Sequence, residues 1–290
     1  MTFAPKILNW YHEHQRDLPW RQTRDPYKVW LSEIILQQTR VAQGMPYYLR
    51  FVEAFPTVHD LANAPEEQVL KLWQGLGYYS RARNLHATAK TVVEDFDGKF
   101  PDTYKGLKSL KGVGDYTASA IASFCFDAPE PVVDGNVYRV LSRYFGIDIP
   151  INSTEGIKYF KELAREVMDS ENIRDYNQGI MEFGAIQCAP KKPSCLLCPL
   201  QESCVALQEN KVDQLPVKLN KTKIRNRYFN YLVLLDDDGN TILEQRRGKG
   251  IWQNLYQFPL IESERMLQAK ELRPLINKNT MVPETQSLSL

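Results

Sequence analysis

Apolar side chains recur at helical spacing through the first 205 residues of the chain. Residues 5–17 have one apolar side, and Tyr27–Phe51 repeats the pattern with Trp30, Ile34 and Val41 on a single face. The same spacing predicts further helices over residues 58–63, 66–72, 80–96, 117–126, 137–145, 155–168 and 177–186. Because neither a strand-like alternation nor an internal repeat occurs there, this part of the chain is predicted to be all-α.

The pattern changes after Val212. Residues 227–235 and 241–246 have the composition of strands and flank the turn 236–240, which predicts a β-hairpin. Residues 251–261 favour one more strand. A region of about 60 residues is thin for an independent core.

A glycine-flanked turn precedes one of the predicted helices in the middle of the chain. Gly112, Val113 and Gly114 form it, and glycines of this kind let the backbone come close to a ligand. The helix over 117–126 directs its first N–H groups toward the same place, which suits an anion such as a phosphate. Asp134 follows inside an apolar segment.

A second glycine turn, WQGLGYY over residues 73–79, carries Leu76 and Tyr78 near its tip. Apolar side chains on a tight turn either pack into the core or insert into a partner, for example between bases. The pattern leaves both interpretations open.

Two further positions near the N-terminus are candidates for chemistry. Glu33 lies among the apolar residues of Tyr27–Phe51, and partial desolvation would raise its pKa toward that of a general acid at neutral pH. Trp20 and Arg21 follow Pro19 and could wall a pocket for a flat ligand. The ordinary alternatives are a surface glutamate and packing at a helix end.

The composition is that of a soluble globular protein, with 43% hydrophobic and 24% charged residues in a chain of 290. No run of 18 apolar residues occurs, so no membrane span is expected. Residues 1–6 lack the layout of a secretory signal, so a cytoplasmic protein is expected. The net charge of +1 carries no nucleic-acid signal, but residues 218–227 hold five basic side chains and no acid. That stretch is either a solvated linker or a segment that lies along a phosphate backbone.

Four of the five cysteines fall within 17 residues, with the spacing C-x6-C-x2-C-x5-C: Cys188, Cys195, Cys198 and Cys204. Without a signal peptide this crowding favours a metal centre over disulfides. Four thiolates suit zinc or a [4Fe–4S] cluster, and the single close couple, Cys195 with Cys198, favours the cluster. Lys191 and Lys192, in the loop between the first two cysteines, could contact phosphates.

Together, the glycine turn, the aspartate 20 residues beyond Gly114 and the cysteine spacing resemble the endonuclease III superfamily of base-excision DNA glycosylases. The resemblance covers residues 5–205 and implies a mainly α, two-lobed helix–hairpin–helix fold with a [4Fe–4S] loop. In that superfamily the hairpin glycines hold a DNA phosphate and the target base is flipped out. The resemblance also implies that Asp134 acts at the anomeric carbon and that the four cysteines ligate the cluster.

Tyr116 occupies the position at which bifunctional members of this superfamily carry a lysine. A lysine amine forms a Schiff base with the sugar and cuts the strand, whereas a phenol cannot form an imine. The resemblance therefore implies base removal without strand cleavage.

The segments 18–21 (LPWR) and 29–39 (VWLSEIILQQT) are similar to those of the MutY-type adenine DNA glycosylases, which act on adenine paired with 8-oxoguanine. This resemblance implies that Glu33 protonates adenine N7 and that Asp134 stabilises or traps the oxocarbenium-like sugar. The implied partner is duplex DNA with A·8-oxoguanine or A·G mispairs, bound by a monomer. The resemblance assigns Trp20, Arg21 and Gln178 to the adenine pocket, Tyr116 and Asn136 to orientation of the aspartate or sugar, and Gln38, Thr39, Leu76 and Tyr78 to the duplex at the lesion.

The C-terminal region resembles the Nudix-related C-terminal domain of the same family through residues 243–247 and 250–259. The catalytic Nudix motif is missing from the sequence, so pyrophosphatase activity is not expected. The family domain runs further, to a hairpin that reads 8-oxoguanine, whereas this sequence stops at Leu290. Either the protein is truncated or its lesion discrimination is reduced, and we expect excision of adenine to survive better than selectivity. The expected segments are a catalytic domain over 1–212, with a helical barrel lobe over 22–128 and a cluster lobe from 1–21 plus 129–205, then a basic linker over 213–227 and a partial α+β Nudix-like domain over 228–290.

Two other functions remain open on the sequence. One is a glycosylase of the same superfamily for mismatched thymine or oxidised pyrimidine. The other is a helix–hairpin–helix DNA-binding protein that has lost catalysis. Retention of both Glu33 and Asp134 argues against the second, because a protein that only binds DNA has no use for the pair.

Overall fold

The computed structural model describes residues 3–219, 225–248, 250–268, 270–272 and 274–275. The chain divides into two compact units, Met1–Leu219 and Asn220–Leu290. Part of the predicted basic linker, residues 220–224, and the tail 276–290 lie outside the described residues.

The first unit is helical, in agreement with the all-α prediction. Its helices are α1 (Phe3–His14), α2 (Pro26–Ile35), α3 (Val41–Ala54), α4 (Val58–Asn63), α5 (Glu66–Trp73), α6 (Ser80–Phe96), α7 (Tyr104–Ser109), α8 (Asp115–Phe126), α9 (Gly135–Phe145), α10 (Thr154–Val167), α11 (Ile173–Ile186) and α12 (Val205–Gln208). Short 3₁₀ turns occur at Pro19–Arg21, Cys195–Leu197 and Gln201–Ser203. In the described part of the chain, no helix has the length and apolar character that crossing a membrane requires.

Two hydrophobic cores hold this unit together. The first draws its buried residues from Leu18 to Val132 and contains the fully buried Trp30 and Trp73. The second joins α1 to residues of α9, α10 and α11, with Phe160 completely buried. Burial of large aromatic and aliphatic side chains is the dominant stabilising contribution in each core.

The helical pattern predicted over 27–51 is interrupted in the structure. Asp25 accepts a hydrogen bond from the N–H of Tyr27 and caps α2, which ends at Ile35, and α3 begins only at Val41. Gln38, in the intervening turn, has a φ of 56°, which a right-handed helix cannot accommodate. The sequence pattern misses the break because the apolar spacing continues on both sides of it.

The glycine turn at residues 110–114 joins α7 to α8 and completes a helix–hairpin–helix. Gly112 has a φ of +77°, and a Cβ there would come within 2.9 Å of the Asn84 Cβ on α6. Val113 is buried beneath the turn, whereas Gly114 stands exposed as the N-cap of α8. The turn therefore packs closely on α6 and keeps the N-terminus of α8 open.

The second unit contains two small antiparallel sheets. Strand β1 (Tyr228–Tyr231) pairs with β4 (Leu260–Ser263), and β2 (Glu244–Gln245) pairs with β3 (Tyr256–Gln257). Residues 270–272 and 274–275 are helical.

The predicted hairpin of 227–235 with 241–246 is wrong in its pairing. Only an isolated bridge, Leu235 with Thr241, joins the two segments. The partner of β1 comes from 31 positions further along the chain, where Ile261 lies opposite Asn230. The adjoining Leu232 and Ile261 are buried together in a small core, so apolar burial selects the distant strand. The Nudix-like assignment of this unit stays a prediction.

Candidate active site

A cavity of about 200 Å³ opens between α2, α8, α11, the start of α9 and the segment before α2. This volume is below the roughly 300–1,000 Å³ of sites for drug-sized ligands, so it suits a single small ring system. Eight of the predicted site residues line it: Trp20, Arg21, Glu33, Thr39, Tyr116, Asp134, Asn136 and Gln178.

Glu33 is on α2 with only 7% of its surface exposed. Burial raises the pKa of its carboxyl from 4.5 to about 7, and the nearby Asp134 carboxylate adds to the rise. A hydrogen-bonding interaction with Tyr116 and the positive charge of Arg21 oppose it. At neutral pH the carboxyl therefore has a substantial protonated fraction, as a general acid requires.

Tyr116 stands on the first turn of α8, beside both carboxyls. Burial, with the negative charges of Glu33 and Asp134, raises the pKa of its phenol well above the ordinary value. The phenol is therefore neutral and can only act as a hydrogen-bond donor or acceptor. Its hydroxyl lies 3.8 Å from the sulfur of Met181.

Asp134 is the N-cap of α9 and is held by three hydrogen bonds. One carboxyl oxygen accepts the backbone N–H groups of Asn136 and Val137, each at 2.8 Å, and the other accepts Asn136 Nδ2 at 2.8 Å. Burial raises the pKa of Asp134, and these three donors act in the opposite direction because they stabilise the ionised form. The side chain is thereby fixed in one orientation at the cavity.

Asn136 is oriented in turn by Arg139. The guanidinium donates to Asn136 Oδ1 at 2.8 Å, to the carbonyl of Gly184, and to the carbonyl of Cys188 at 2.8 Å. A Cβ at Gly184 would come within 2.6 Å of the Asn136 Cβ, so α11 can approach α9 only with glycine there. A hydrogen-bond chain thus runs from the first cysteine of the loop to Asp134.

An ion-pair network around the buried Glu182 forms another wall of the cavity. Glu182, 1% exposed, accepts Arg16 Nε and Nη2 at 2.6 Å and Arg21 Nη2 at 2.8 Å. Burial alone would raise the pKa of Glu182, but the two guanidinium groups lower it to about 2. Arg174 donates to the carbonyls of Arg21 and Thr23 and so ties the same segment to α11.

Trp20 and Gln178 complete the predicted pocket. Trp20 is 8% exposed and meets the ring of Tyr48 edge-on at 5.0 Å. Gln178 is 4% exposed, and its Oε1 accepts the hydroxyl of Tyr11 at 2.8 Å. The amide Nε2 has no hydrogen bond to any described residue, which leaves a donor for a ligand in the cavity.

The structure places the predicted DNA-contact residues outside this cavity, apart from Thr39. Gln38, Tyr78, Lys191 and Lys192 are exposed, with Tyr78 at 67%. Leu76 differs from the expectation of an inserting side chain. It is 7% exposed and packs in the first core, because Gly75 and Gly77, with φ of 102° and 71°, turn it inward.

The four predicted cluster ligands lie on one loop, and each of these cysteines is partly exposed. Burial raises the pKa of Cys198 to about 11, the N–H of Leu200 at 3.4 Å from its sulfur lowers it, and the other three cysteines raise it. Among the described residues, no group of three or more His, Cys, Asp or Glu is arranged to hold a metal ion. Four cysteines on one segment are the donor set of an iron–sulfur cluster. Two N–H groups lie within 3.4 Å of their sulfurs, Arg143 Nη1 at Cys188 and the backbone N–H of Leu200 at Cys198, as suits thiolates that carry a cluster.

Sequence reasoning did not single out Arg16, Arg139, Arg143 or Glu182. Each of these side chains bonds to partners more than 40 positions away in the sequence. Arg139 also bonds to Asn136, one helical turn before it. For Arg139, Arg143 and Glu182 the available signal is a charge inside a helical apolar pattern, and that signal does not identify the partner.

The comparisons with known proteins agree with this geometry. Residues 31–166 match the family described as HhH-GPD superfamily base excision DNA repair protein, the class to which the helix–hairpin–helix and its adjoining cavity point. The structure is similar to that of a thermostable thymine-DNA glycosylase (TM-score 0.67, 34% identity, 71% of this chain and 95% of that one). It also has the fold of endonuclease III in a non-covalent DNA complex (TM-score 0.62, 22% identity, 71% of this chain and 94% of that one).

The chain is 39% identical over 264 residues to the adenine DNA glycosylase of Buchnera aphidicola subsp. Baizongia pistaciae (strain Bp), covering 89% of this chain and 74% of that protein. It therefore belongs to the adenine DNA glycosylase family of base excision repair enzymes.

Proposed function

We propose that this enzyme removes adenine paired with 8-oxoguanine or guanine from duplex DNA, by hydrolysis of the N-glycosidic bond and without cutting the strand. The observation that carries the proposal is the pair of carboxyls with unlike surroundings in one cavity. Glu33 is buried with a pKa of about 7, while Asp134 is held by three N–H donors that favour its charge. Two carboxyls whose environments separate their roles are the usual arrangement for hydrolysis of a glycosidic bond.

In the first step Glu33 gives its proton to N7 of the flipped adenine, and the bond from N9 to the sugar carbon breaks. Adenine departs with the bonding electrons, and the sugar becomes an oxocarbenium ion. The carboxylate of Asp134 stabilises that ion or forms a glycosyl ester with it. Water then attacks the anomeric carbon and returns a proton to Glu33, which leaves an abasic site.

Four neighbouring side chains support these roles. Asn136 holds Asp134 through both carboxyl oxygens, and the neutral phenol of Tyr116 lies beside both acids without an amine that could form an imine. The aromatic face of Trp20 and the free amide donor of Gln178 suit a flat base with polar edges.

DNA binding is proposed at the exposed turns around the cavity. The N-terminus of α8 follows Gly114 without a side-chain cap, and its N–H groups suit a phosphate. Tyr78 and Gln38, each with positive φ, stand exposed on separate turns and would meet the duplex at the lesion. A [4Fe–4S] cluster held by Cys188, Cys195, Cys198 and Cys204 would order the loop that carries the exposed Lys191 and Lys192. Reading of 8-oxoguanine is proposed for the second unit.

The test uses duplexes that hold A·8-oxoguanine, A·G, T·G or an oxidised pyrimidine, incubated with purified protein and divided into samples with and without alkali. Strand breaks at adenine only after alkali are expected. Breaks at thymine or the oxidised pyrimidine would replace the proposal with another base target, and breaks without alkali would refute its monofunctional part. E33Q and D134N should each abolish excision but retain duplex binding. E94Q, which changes an exposed carboxylate of α6, is the matched control.

A further inference from the structure

Arg81 stands in the first turn of α6 but makes its hydrogen bonds elsewhere. Its Nη1 donates to the carbonyl oxygens of Ile34 (3.1 Å), Ile35 (3.2 Å) and Gln37 (2.6 Å) at the end of α2. Its Nη2 lies 3.3 and 3.4 Å from the carbonyl oxygens of Leu76 and Gly77. One guanidinium therefore joins two turns that are about 40 positions apart in the sequence.

The positive charge of Arg81 is stabilised by its contact with the C-terminus of α2 and not by its place in α6. A cation in the first turn of its own helix is unfavourable, whereas a cation at the C-terminus of another helix is stabilised by that helix dipole. The last carbonyls of α2 have no acceptor role inside the helix, and Arg81 satisfies them. The helix that ends there also carries Glu33.

The second turn is braced around the same side chain. The Arg81 guanidinium lies 5.0 Å from the centre of the Trp73 ring, and Trp73 Nε1 donates to the carbonyl of Gly77 at 2.9 Å. The Arg81 guanidinium also lies 5.8 Å from the centre of the Tyr78 ring, and the Tyr78 side chain is 67% exposed. Arg81 therefore contacts the exposed Tyr78 ring and also binds the end of α2, just after Glu33.

A third element lies next to the same side chain. Arg81 Nε is buried without a partner among the described residues. A cavity of about 40 Å³ lies between Arg81, Asn84 and the hairpin residues Lys111 and Gly112. The side chain is therefore central to the two exposed turns and adjacent to the hairpin.

We propose that Arg81 is a positioning residue that holds the 36–40 turn and the 75–79 turn in one arrangement, so that duplex engagement at these turns is aligned with Glu33. This rests on the proposed function. Misplacement of reacting groups by about 1 Å can cost about a hundredfold in rate, even when the altered residue does not touch the substrate. Lysine cannot replace arginine here, because one ammonium cannot span both sets of carbonyls.

The test compares R81K and R81Q with R83K in the full chain. Arg83 is on the same helix and meets Glu66 at 3.6 Å, so R83K is a matched change away from the two turns. The single-turnover rate on A·8-oxoguanine duplex, the affinity for undamaged duplex and the thermal unfolding midpoint are measured for each. We expect R81K to lower the rate by about tenfold or more, with affinity for undamaged duplex changed by less than about threefold. R83K should match the parent in both.

Hydrogen exchange of the free protein supplies a readout that needs no activity. Amides of 36–40 and 75–79 should exchange faster in R81K than in the parent, with those of α9 and α10 unchanged. The proposal is overturned if R81K keeps both the rate and these exchange rates within about twofold of the parent. It is also overturned if rate and undamaged-duplex affinity fall by the same factor, since that marks a general loss of folding or binding. If the parent releases no adenine, the proposed function has failed, and the exchange result alone decides the role of Arg81.

Discussion

Asn136 makes two hydrogen bonds to Asp134: its backbone N–H donates to one carboxyl oxygen and its side-chain amide donates to the other, both at 2.8 Å. Arg139 occupies the remaining oxygen of the Asn136 amide, so that amide cannot turn over without losing a bond. Asp134 therefore presents one fixed face to the cavity.

N136A should slow excision by about tenfold to a hundredfold, because the carboxylate keeps its two backbone donors but loses the side-chain donor that sets its rotation. Single-turnover kinetics on A·8-oxoguanine duplex would measure this. N63A, at the exposed end of α4, is the control and should match the parent. A parental rate in N136A would show that the backbone donors suffice.

The excision rate should fall as pH rises through about 7. Glu33 must be protonated to act as the acid, and burial raises its pKa to about 7, so the active fraction declines above that pH. Single-turnover rates over a pH series, at constant ionic strength, would reveal this limb. A rate that stays constant well above pH 7 would contradict the role of Glu33 as proton donor.

The free energy of unfolding should depend less on pH in E33Q than in the parent. The folded pKa of Glu33 is raised from 4.5 to about 7, so its neutral form contributes stability below pH 4.5 that is lost as pH rises through about 7. That loss is on the order of 3 kcal/mol for a carboxyl moved between these values. Glutamine carries no charge at any pH, so the variant does not lose this stability. Between pH 5 and pH 8, the free energy of unfolding measured with denaturant should therefore rise for E33Q relative to the parent. A constant difference between the two would refute the buried-carboxyl account.

E182Q should destabilise the protein by about 3 kcal/mol at neutral pH, because it leaves two guanidinium groups without their carboxylate. Arg16 is 40% exposed, so water offsets part of that cost, while Arg21 at 9% is exposed far less. Glu182 has a folded pKa lowered to about 2, so its contribution is present above pH 4.5 and disappears as pH falls toward 2. The difference in free energy of unfolding between E182Q and the parent should therefore shrink as the pH falls from 4.5 toward 2.

The matched control for Glu182 is E130Q, which breaks the ion pair of Glu130 with Arg165. That pair is 24% and 48% exposed, and such pairs contribute no more than about 1 kcal/mol. Equal costs for the two variants would mean that burial does not strengthen the Glu182 network.

Purified protein should contain about four irons per chain if the cysteine loop holds the proposed cluster. C198A should lose iron and visible absorption, whereas C125A, which changes a partly buried thiol packed against the first core, should retain both. Iron analysis and absorbance of the folded proteins would measure this. Zinc in place of iron in the parent would refute the cluster.

The local pattern of residues is enough to predict the helical unit and to nominate the side chains of its candidate site. Helices 58–63 and 80–96 have the bounds that the apolar spacing predicts, and the eight predicted residues that line the cavity come from separate segments. This succeeded because helical periodicity is a local record of burial, and because the motifs carry side chains whose chemistry is specific.

The places where distant segments of the chain meet follow from tertiary packing alone. It broke the 27–51 pattern at Gln38, turned Leu76 into the core, and paired β1 with β4 in place of the nearest strand. It also gave Arg81 and Glu182 their partners. The physical reason is the same in each case: hydrogen bonds and ion pairs between remote parts of the chain depend on packing, which a local pattern of apolar and polar residues does not encode.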